Sequence, residues 1–298
     1  MNKYYAHGKL MLTGEYVVLD GANTLAVPTK FGQKLEVQTL ENNRHQIEWK
    51  SYNNNDELWL NTHFPKDDKN EFEERLFIIL KEIEKLNAEV FYNKNFSFKT
   101  YLEFPNNWGL GSSSTLISLL SQWSGVDAYQ LLEKTFGGSG YDIACATANT
   151  PIVYNVNDKT QSKSVVLNSN WTKNTFFVFL EQKQNSREAI AYYKTLKQTE
   201  KPIDDFNSLT ESLINCTNTI DAIQIVAEHE SVMSNLLKIE SVNSRLFSDF
   251  AGKCKSLGAW GGDFIMAISN EGTQYVENYF KNKGYKTIFN FDKMIWKE

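Results

Sequence analysis

Strand-period and helix-period segments alternate through both halves of the chain, and that mixture predicts an α+β fold. Two further observations support it. Glycine-rich turns punctuate the changes of period at 105–112, 137–140 and 258–263. The length, 298 residues, suits two domains of ordinary size, and the stretch 157–174 supplies a boundary. Residues 1–165 form one expected domain and 166–298 the other.

Residues 10–19 read as a strand interrupted at Gly14-Glu15, and Gly21 and Pro28 punctuate the next stretch. The run 35–40 alternates apolar and polar side chains, the period of a half-buried strand. Residues 42–55 are polar and Asn-rich, a hairpin or surface loop. Phe72, Leu76, Ile79, Leu80, Ile83 and Leu86 share one face of an amphipathic helix over 71–86. The run 96–104 alternates again, and Pro105 ends it. Helices follow over 113–123 and 128–136, then a loop, a short helix or turn over 141–148, and a strand over 151–156. In the second half, 175–180 is a buried strand, 186–196 a helix and 206–229 one or two more. The helical pattern continues through 230–257 with a break near 239–243. A strand over 264–268, a helix over 271–283 and a strand over 286–291 complete the chain.

Apolar residues at 41% and charged residues at 22% are globular values and exclude a disordered chain. The net charge of −5, with no basic run longer than two residues, disfavours a nucleic-acid partner. It leaves room for a phosphorylated ligand held by loop amides and one or two lysines. Cys145, Cys216 and Cys254 are far apart, with no zinc spacing, so a disulfide framework or metal finger is not expected. Each reads as a small buried apolar residue rather than a nucleophile. The N-terminus lacks a signal-peptide core, and no run approaches the roughly 18 apolar residues of a membrane span. The expectation is a soluble, cytoplasmic protein without membrane partners, either monomer or homodimer.

The segment that carries chemistry is Pro105-Asn106-Asn107-Trp108-Gly109-Leu110-Gly111-Ser112-Ser113-Ser114-Thr115. A strand runs into glycines, then into hydroxyl residues, then into a helix. Gly109 and Gly111 allow backbone amides to close on an anion, and a helix start adds free N–H groups and a positive dipole end. The three serine hydroxyls can cap the helix, bind phosphate oxygen or reach Mg²⁺. No Gly-Lys-Ser/Thr is present after it, so this is not a Walker A loop. Taken alone, the segment also fits a plain capped helix after a tight turn. Three other glycine-bearing segments accompany it: 8–21, beginning Gly8-Lys9 and containing Gly14-Glu15-Tyr16; Gly137-Gly138-Ser139-Gly140-Tyr141-Asp142; and Gly258-Ala259-Trp260-Gly261-Gly262-Asp263.

In this order the four segments resemble the GHMP kinase superfamily, closest to its mevalonate kinase and phosphomevalonate kinase branch, and the resemblance spans nearly the whole chain. Residues 8–21 resemble the first motif of that branch, Gly109-Leu110-Gly111-Ser112-Ser113 its ATP loop, and 258–263 its third motif. The resemblance implies an N-terminal ribosomal S5-like lobe, a C-terminal ferredoxin-like lobe, and ATP with Mg²⁺ over the glycine-rich loop. It implies a catalytic Asp142, which accepts the acceptor's proton or orients it, and a catalytic Lys9, which balances charge on the transferring phosphoryl group. Taken alone, Lys9 reads as a surface lysine and Asp142 as a helix cap.

The same resemblance assigns nucleotide contacts to Gly109, Leu110, Gly111, Ser112, Ser113, Ser114, Gly261 and Gly262, and Trp108, beside them, is a further candidate. It assigns Mg²⁺ to Ser113 with Glu133 as the available carboxylate, and acceptor contacts to Glu15, Ser139, Gly140, Ser186 and Arg187. Solvated or structural roles stay open for Glu133, Glu15, Ser186 and Arg187. His229 lies where mevalonate kinases have an Asn-His or Asn-Gln pair, and reads here as packing or surface.

The chain departs from the motifs at three places. His7 stands where Pro is usual, Asn107-Trp108 where small residues are, and Trp260 where a glycine is. Trp108 or Trp260 stacking on adenine is one expectation; packing beneath the loops is the other. The reaction expected is phosphorylation of a small hydroxy acid or its phosphate. The alternatives are a kinase for a sugar or amino acid and a non-catalytic regulator that binds nucleotide or metabolite. The galactokinase signature Gly-Glu-His-x-Asp is unmatched at Gly14-Glu15-Tyr16-Val17-Val18.

Overall fold

The structure is a computed structural model and describes residues 1–41, 46–158, 162–182, 186–196, 202–260 and 263–298; the side chains of Ser186 and Arg187 lie outside that description. Its contacts divide the chain into two compact units. The first comprises Met1–Gly8, Phe31–Asn106 and Leu110–Thr147, the second Lys9–Lys30, Asn107–Gly109 and Ala148–Glu298. The division does not fall at one place in the sequence, because the strands β1 (Asn2–Met11) and β2 (Thr24–Leu40) each contribute to both units.

In the first unit, β3 (Ile47–Tyr52), β4 (Leu58–Phe64) and β5 (Asn95–Leu102) join the later part of β2 in the order β4-β3-β5-β2. β3 and β4 form an antiparallel hairpin, whereas β3 and β5 run parallel. A parallel pair needs a crossover, and α1 (Glu71–Leu86) lies in that connection. Burial alternates along β3 and β5, so one face of the sheet is covered. The cover is α1 with α2 (Ser112–Ser124), α3 (Ala128–Thr135) and α4 (Tyr141–Ala146). Trp49 stacks on Phe98 at 5.1 Å, and Leu76, Ile83, Ile117 and Leu131 complete that core.

In the second unit, β6 (Ile152–Tyr154) pairs with residues 24–26 of β2 and with β7 (Lys163–Ser164). A second, wholly antiparallel sheet has the order β11-β8-β10-β9, from β8 (Thr175–Phe179), β9 (Lys253–Ser256), β10 (Phe264–Ile268) and β11 (Ile288–Asn290). Every residue of β8 and β10 is buried, as in strands covered on both faces. The helices of this unit are α5 (Ser169–Thr172), α6 (Ser186–Thr195), α7 (Ile203–Asn215), α8 (Thr219–Leu237), α9 (Val242–Leu246), α10 (Thr273–Asn282) and α11 (Phe291–Met294). Phe176, Val178, Ile265, Phe247 and Phe280 form one core, and Tyr16, Phe206, Met233 and Trp260 another.

Two expectations change. The helical reading of 230–257, with its break near 239–243, holds through α8 and α9, the left-handed Lys238 ending the first, but it fails at 253–256, which are a strand. Pairing with β10 overrides local preference there. Pro28 does not interrupt β2; it sits between the stretches that pair with β6 and β5, where its missing N–H breaks neither of those ladders. All three cysteines are buried.

The start of α1 is a reciprocal capping box: the Asn70 side chain accepts from the N–H groups of Phe72 and Glu73, and Glu73 accepts from the Asn70 N–H at 2.9 Å. Asn70→Ala is expected to lower unfolding free energy by about 1 kcal/mol, read by urea denaturation. An unchanged midpoint and slope would show that the box carries no stability.

Candidate active site

Asn70, Asp127, Asn168, Asn218, Ser241 and Asn290 each close the first turn of a helix by accepting a backbone N–H. α2 and α4, in the first unit, start differently. Each is led by a left-handed glycine, Gly111 at φ 91° and Gly140 at φ 88°, and neither start has a side-chain cap. A β-carbon is strained at such φ values, so glycine is what lets the chain enter the helix from this direction. The first bond of α2 runs from the Thr115 N–H to the Gly111 carbonyl at 2.9 Å. The amides of Ser112, Ser113 and Ser114 precede it, and they lie at the positive end of the helix dipole.

The hydroxyls there divide. Ser114 Oγ donates to the Gly111 carbonyl at 2.8 Å and Thr115 Oγ1 donates to Gln33 at 2.7 Å, so both serve the fold. Ser112 is half-buried and Ser113 exposed, and neither hydroxyl has a hydrogen-bond partner among the described residues. Leu110, next to Gly111, is fully buried and anchors the loop.

Asp142 is the second residue of α4, half-buried, and its Oδ1 accepts the Ile143 N–H at 3.1 Å. The residue that leads α4 is Gly140 instead, preceded by a buried Ser139. The neighbouring Tyr129 phenol is pushed up to about 12, by burial first and then by the charges of Cys145, Asp127 and Asp142. Glu133 lies exposed on α3, which packs against α2, as α4 does. Exposed Ser113 and Glu133 are oxygen donors of the kind a hard divalent cation takes. Among the described residues, no three His, Cys, Asp or Glu side chains gather as a metal cluster.

In the second unit, Lys9 and Gly109 meet: the ammonium donates to the Gly109 carbonyl at 2.8 Å. Gly109 takes φ 66°. Trp108 packs edge-on against Phe264 at 5.6 Å and Phe289 at 5.4 Å, which fixes the residue before Gly109 on the second sheet. Trp260 is buried with Tyr16, Phe206 and Met233, so its ring serves as core rather than as a surface for adenine. Gly261 and Gly262 lie outside the described residues, as do the side chains of Ser186 and Arg187, the first two residues of α6.

The turn after β1 leads into an unusual interior. Lys255 and Glu230 are 0% exposed, and Glu15 and His229 are 1% exposed. The Lys255 ammonium pairs with Glu15 Oε1 and stands 3.9 Å from Glu230 Oε1. The Gly14 N–H donates to His229 Nε2 at 3.1 Å, which leaves the ring proton on Nδ1. Burial first, and the Lys255 charge second, hold that imidazole neutral. Burial also raises Glu15, against the pull of Lys255. Burial pushes the Glu230 carboxyl up to about 8; Lys255, the Ser256 backbone and Lys253 oppose the shift, and Glu15 adds to it. A buried carboxyl in this state is neutral at pH 7. Glu15, assigned by the motif to the acceptor, is thus committed to an internal ion pair.

Lys255, Glu230 and Asp263 escape a reading of the sequence. Lys255 lies in a segment with a helical pattern, and Glu230 beside a histidine that reads as packing. Asp263 stands out only as the end of a motif. A Cβ on Gly109 would stand 2.7 Å from the Asp263 Cγ, so this carboxylate fills the space above the glycine.

No family model matches the chain, and no curated protein matches it in sequence. Solved structures do match in fold. Mevalonate kinase of Methanococcus jannaschii is 17% identical over 97% of each chain, with a TM-score of 0.71. The phosphomevalonate kinase of Streptococcus pneumoniae, in complex with phosphomevalonate and AMPPNP, is 16% identical over 97% of this chain and 99% of its own, at 0.70. Galactokinase of Lactococcus lactis, complexed with galactose, is 13% identical over 99% of this chain and 92% of its own, at 0.71. The chain therefore has the mixed two-sheet fold that these GHMP kinases share.

The state of Glu230 makes stability depend on pH. An unfolded glutamate ionises near 4.3, whereas folded Glu230 keeps its proton to about 8. Between those values the folded state binds more protons, so this group's contribution falls as pH rises. His229 has the opposite sign: its lowered value makes stability fall as pH drops through the range where the unfolded ring takes a proton. Glu230→Gln cancels the first effect and leaves the second. The melting temperature of the variant is expected to gain on wild type steadily from about pH 5 to pH 8 and then keep a constant lead. Parallel curves would mean that Glu230 carries no buried proton.

Proposed function

We propose that the chain is an ATP-dependent small-molecule kinase, transferring the γ-phosphoryl group to a hydroxyl or phosphate oxygen of a small hydroxy acid of mevalonate or phosphomevalonate type. The observation that carries this reading is the start of α2. Gly111 leads it without a cap, three amides precede its first bond, and Ser112 and Ser113 keep uncommitted hydroxyls. On a fold shared with kinases, one of them solved with a nucleotide analogue and phosphomevalonate, that start fits phosphate.

In this reading the α2 amides and the hydroxyls of Ser112 and Ser113 receive the nucleotide phosphates. Ser114 and Leu110 hold the loop in shape from inside, and the resemblance adds Gly261 and Gly262 to the proposed nucleotide contacts. Trp108 fixes the loop rather than stacking on the base. Lys9 balances negative charge as the phosphoryl group moves, and Asp142 takes or orients the acceptor's proton. Ser139 and Gly140 are proposed acceptor contacts, and the resemblance adds Ser186 and Arg187 to them. Mg²⁺, when bound with the nucleotide, neutralises phosphate charge, and Ser113 and Glu133 are the side chains that would hold it. The uncommitted Ser113 hydroxyl and exposed Glu133 carboxylate suit that ion, which usually completes its shell with phosphate and water oxygens.

ATP-to-ADP turnover with Mg²⁺ on mevalonate, phosphomevalonate, homoserine and galactose tests the proposal. Turnover is expected on one of the two acids. Asp142→Asn is expected to lose about 10²–10⁴-fold in kcat, with an unchanged melting temperature. Turnover kept in that variant would remove Asp142 as an essential base. Turnover on galactose or homoserine alone would overturn the acceptor class, and none on any acceptor would sink the kinase reading.

A further inference from the structure

Asp263 closes the turn between β9 and β10 in the left-handed region, at φ 51°, which Asp enters more readily than most residues with a side chain. Its backbone is fixed on both sides. The Asp263 N–H donates to the Gln182 carbonyl at 2.6 Å, and its own carbonyl accepts the Leu180 N–H at 2.8 Å. Held so, the side chain lies against Gly109, and a methyl group on that glycine would collide with the carboxylate. Gly109 is also the residue whose carbonyl receives the Lys9 ammonium. Trp108, one residue earlier, is packed on the second sheet. The peptide that meets Lys9 is therefore held by an aromatic anchor on one side and a carboxylate on the other.

Packing alone does not account for a carboxylate here. Asp263 is only 9% exposed, and an apolar side chain would fill the same space without the cost of burying a charge. The Gly109 peptide links this carboxylate to a cation, since its carbonyl receives the Lys9 ammonium.

We propose that Asp263 is a positioning residue for Lys9, acting through Gly109: it keeps the Gly109 carbonyl aimed at the ammonium and favours the charged form of Lys9 while the phosphoryl group moves. This rests on the kinase reading above. Asp263 touches neither nucleotide nor acceptor in this role; its effect reaches the reaction through the lysine.

Asp263→Asn keeps the shape and removes the charge, and Asp263→Ala removes both. In Asp263→Asn, kcat is expected to fall about ten- to a hundredfold, the range seen when a supporting partner of a functional group is lost. The KM for ATP should move far less and the melting temperature should stay. The alkaline limb of the pH–rate profile should move to lower pH, because a negative neighbour favours an ammonium ion. Wild-type kcat in this variant, or a fall that follows a lowered melting temperature with the limb in place, would overturn the proposal. A double-mutant cycle tests the contact without turnover. Gly109→Ala is expected to destabilise wild type more than it destabilises Asp263→Ala, and additive effects would remove the contact and the proposal with it. If wild type turns over no acceptor, the kinase reading fails and so does this catalytic role; turnover in wild type with additive mutants faults this inference alone.

Discussion

Lys255 brings an ammonium ion into an interior closed to solvent, and that is tolerable only where an opposite charge meets it. Stripped of water and left alone, such an ion costs several kcal/mol. Glu15 meets it, and the consequences spread along the chain from there. Glu15 follows Gly14, whose N–H needs a lone pair on His229, and Gly14 follows Thr13, whose hydroxyl is 2.8 Å from that of Thr210. Three successive residues after β1 are thus pinned by three different polar partners. The imidazole must stay neutral for its Nε2 to accept, and burial first, with the nearby Lys255 charge second, enforces this. Lys9 sits on β1 a few residues upstream, so its placement depends on the same interior.

Glu230 is the odd member of the group. One ammonium ion cannot neutralise two carboxylates, and a second buried negative charge would be far more costly than a retained proton. The cluster is balanced by protonation rather than by another cation. It makes a poor source of stability, since buried ion pairs often do no better than well-packed apolar residues. What it supplies is a unique arrangement of the turn that carries the first glycine motif. The helix starts obey a related logic. A capped start such as that of α1 draws a side chain onto its first amides, whereas α2 and α4 begin on a left-handed glycine and forgo that N-cap bond. The molecule gives up local stability at the starts of the two helices that carry its glycine motifs.

Local periodicity made much of the architecture legible. The helix α1 and the strand β10 match their sequence expectations to the residue, because an amphipathic stripe and a short apolar run each carry their own signal. β9 did not, since Lys255 and Ser256 are polar residues buried by partners that no local pattern reveals. The Glu15–Lys255 pair joins residues 240 positions apart. The glycine loops could be found because unusual backbone geometry demands a particular residue type. Asp263 was visible only as a letter after two glycines; its contact with Gly109 exists because separate loops end beside one sheet. Glu15 shows the converse, a motif residue whose environment is set by burial rather than by the motif.

The buried cysteines have a practical consequence. Cys145 belongs to the first unit, whereas Cys216 and Cys254 belong to the second. A thiol reagent reaches each only when the surrounding structure opens, so its labelling rate measures local opening. The protein therefore carries a native chemical clock for each unit, and the two clocks can be read in one sample by mass spectrometry of the labelled peptides. Whether they run together or apart would reveal if the two units open as one cooperative body.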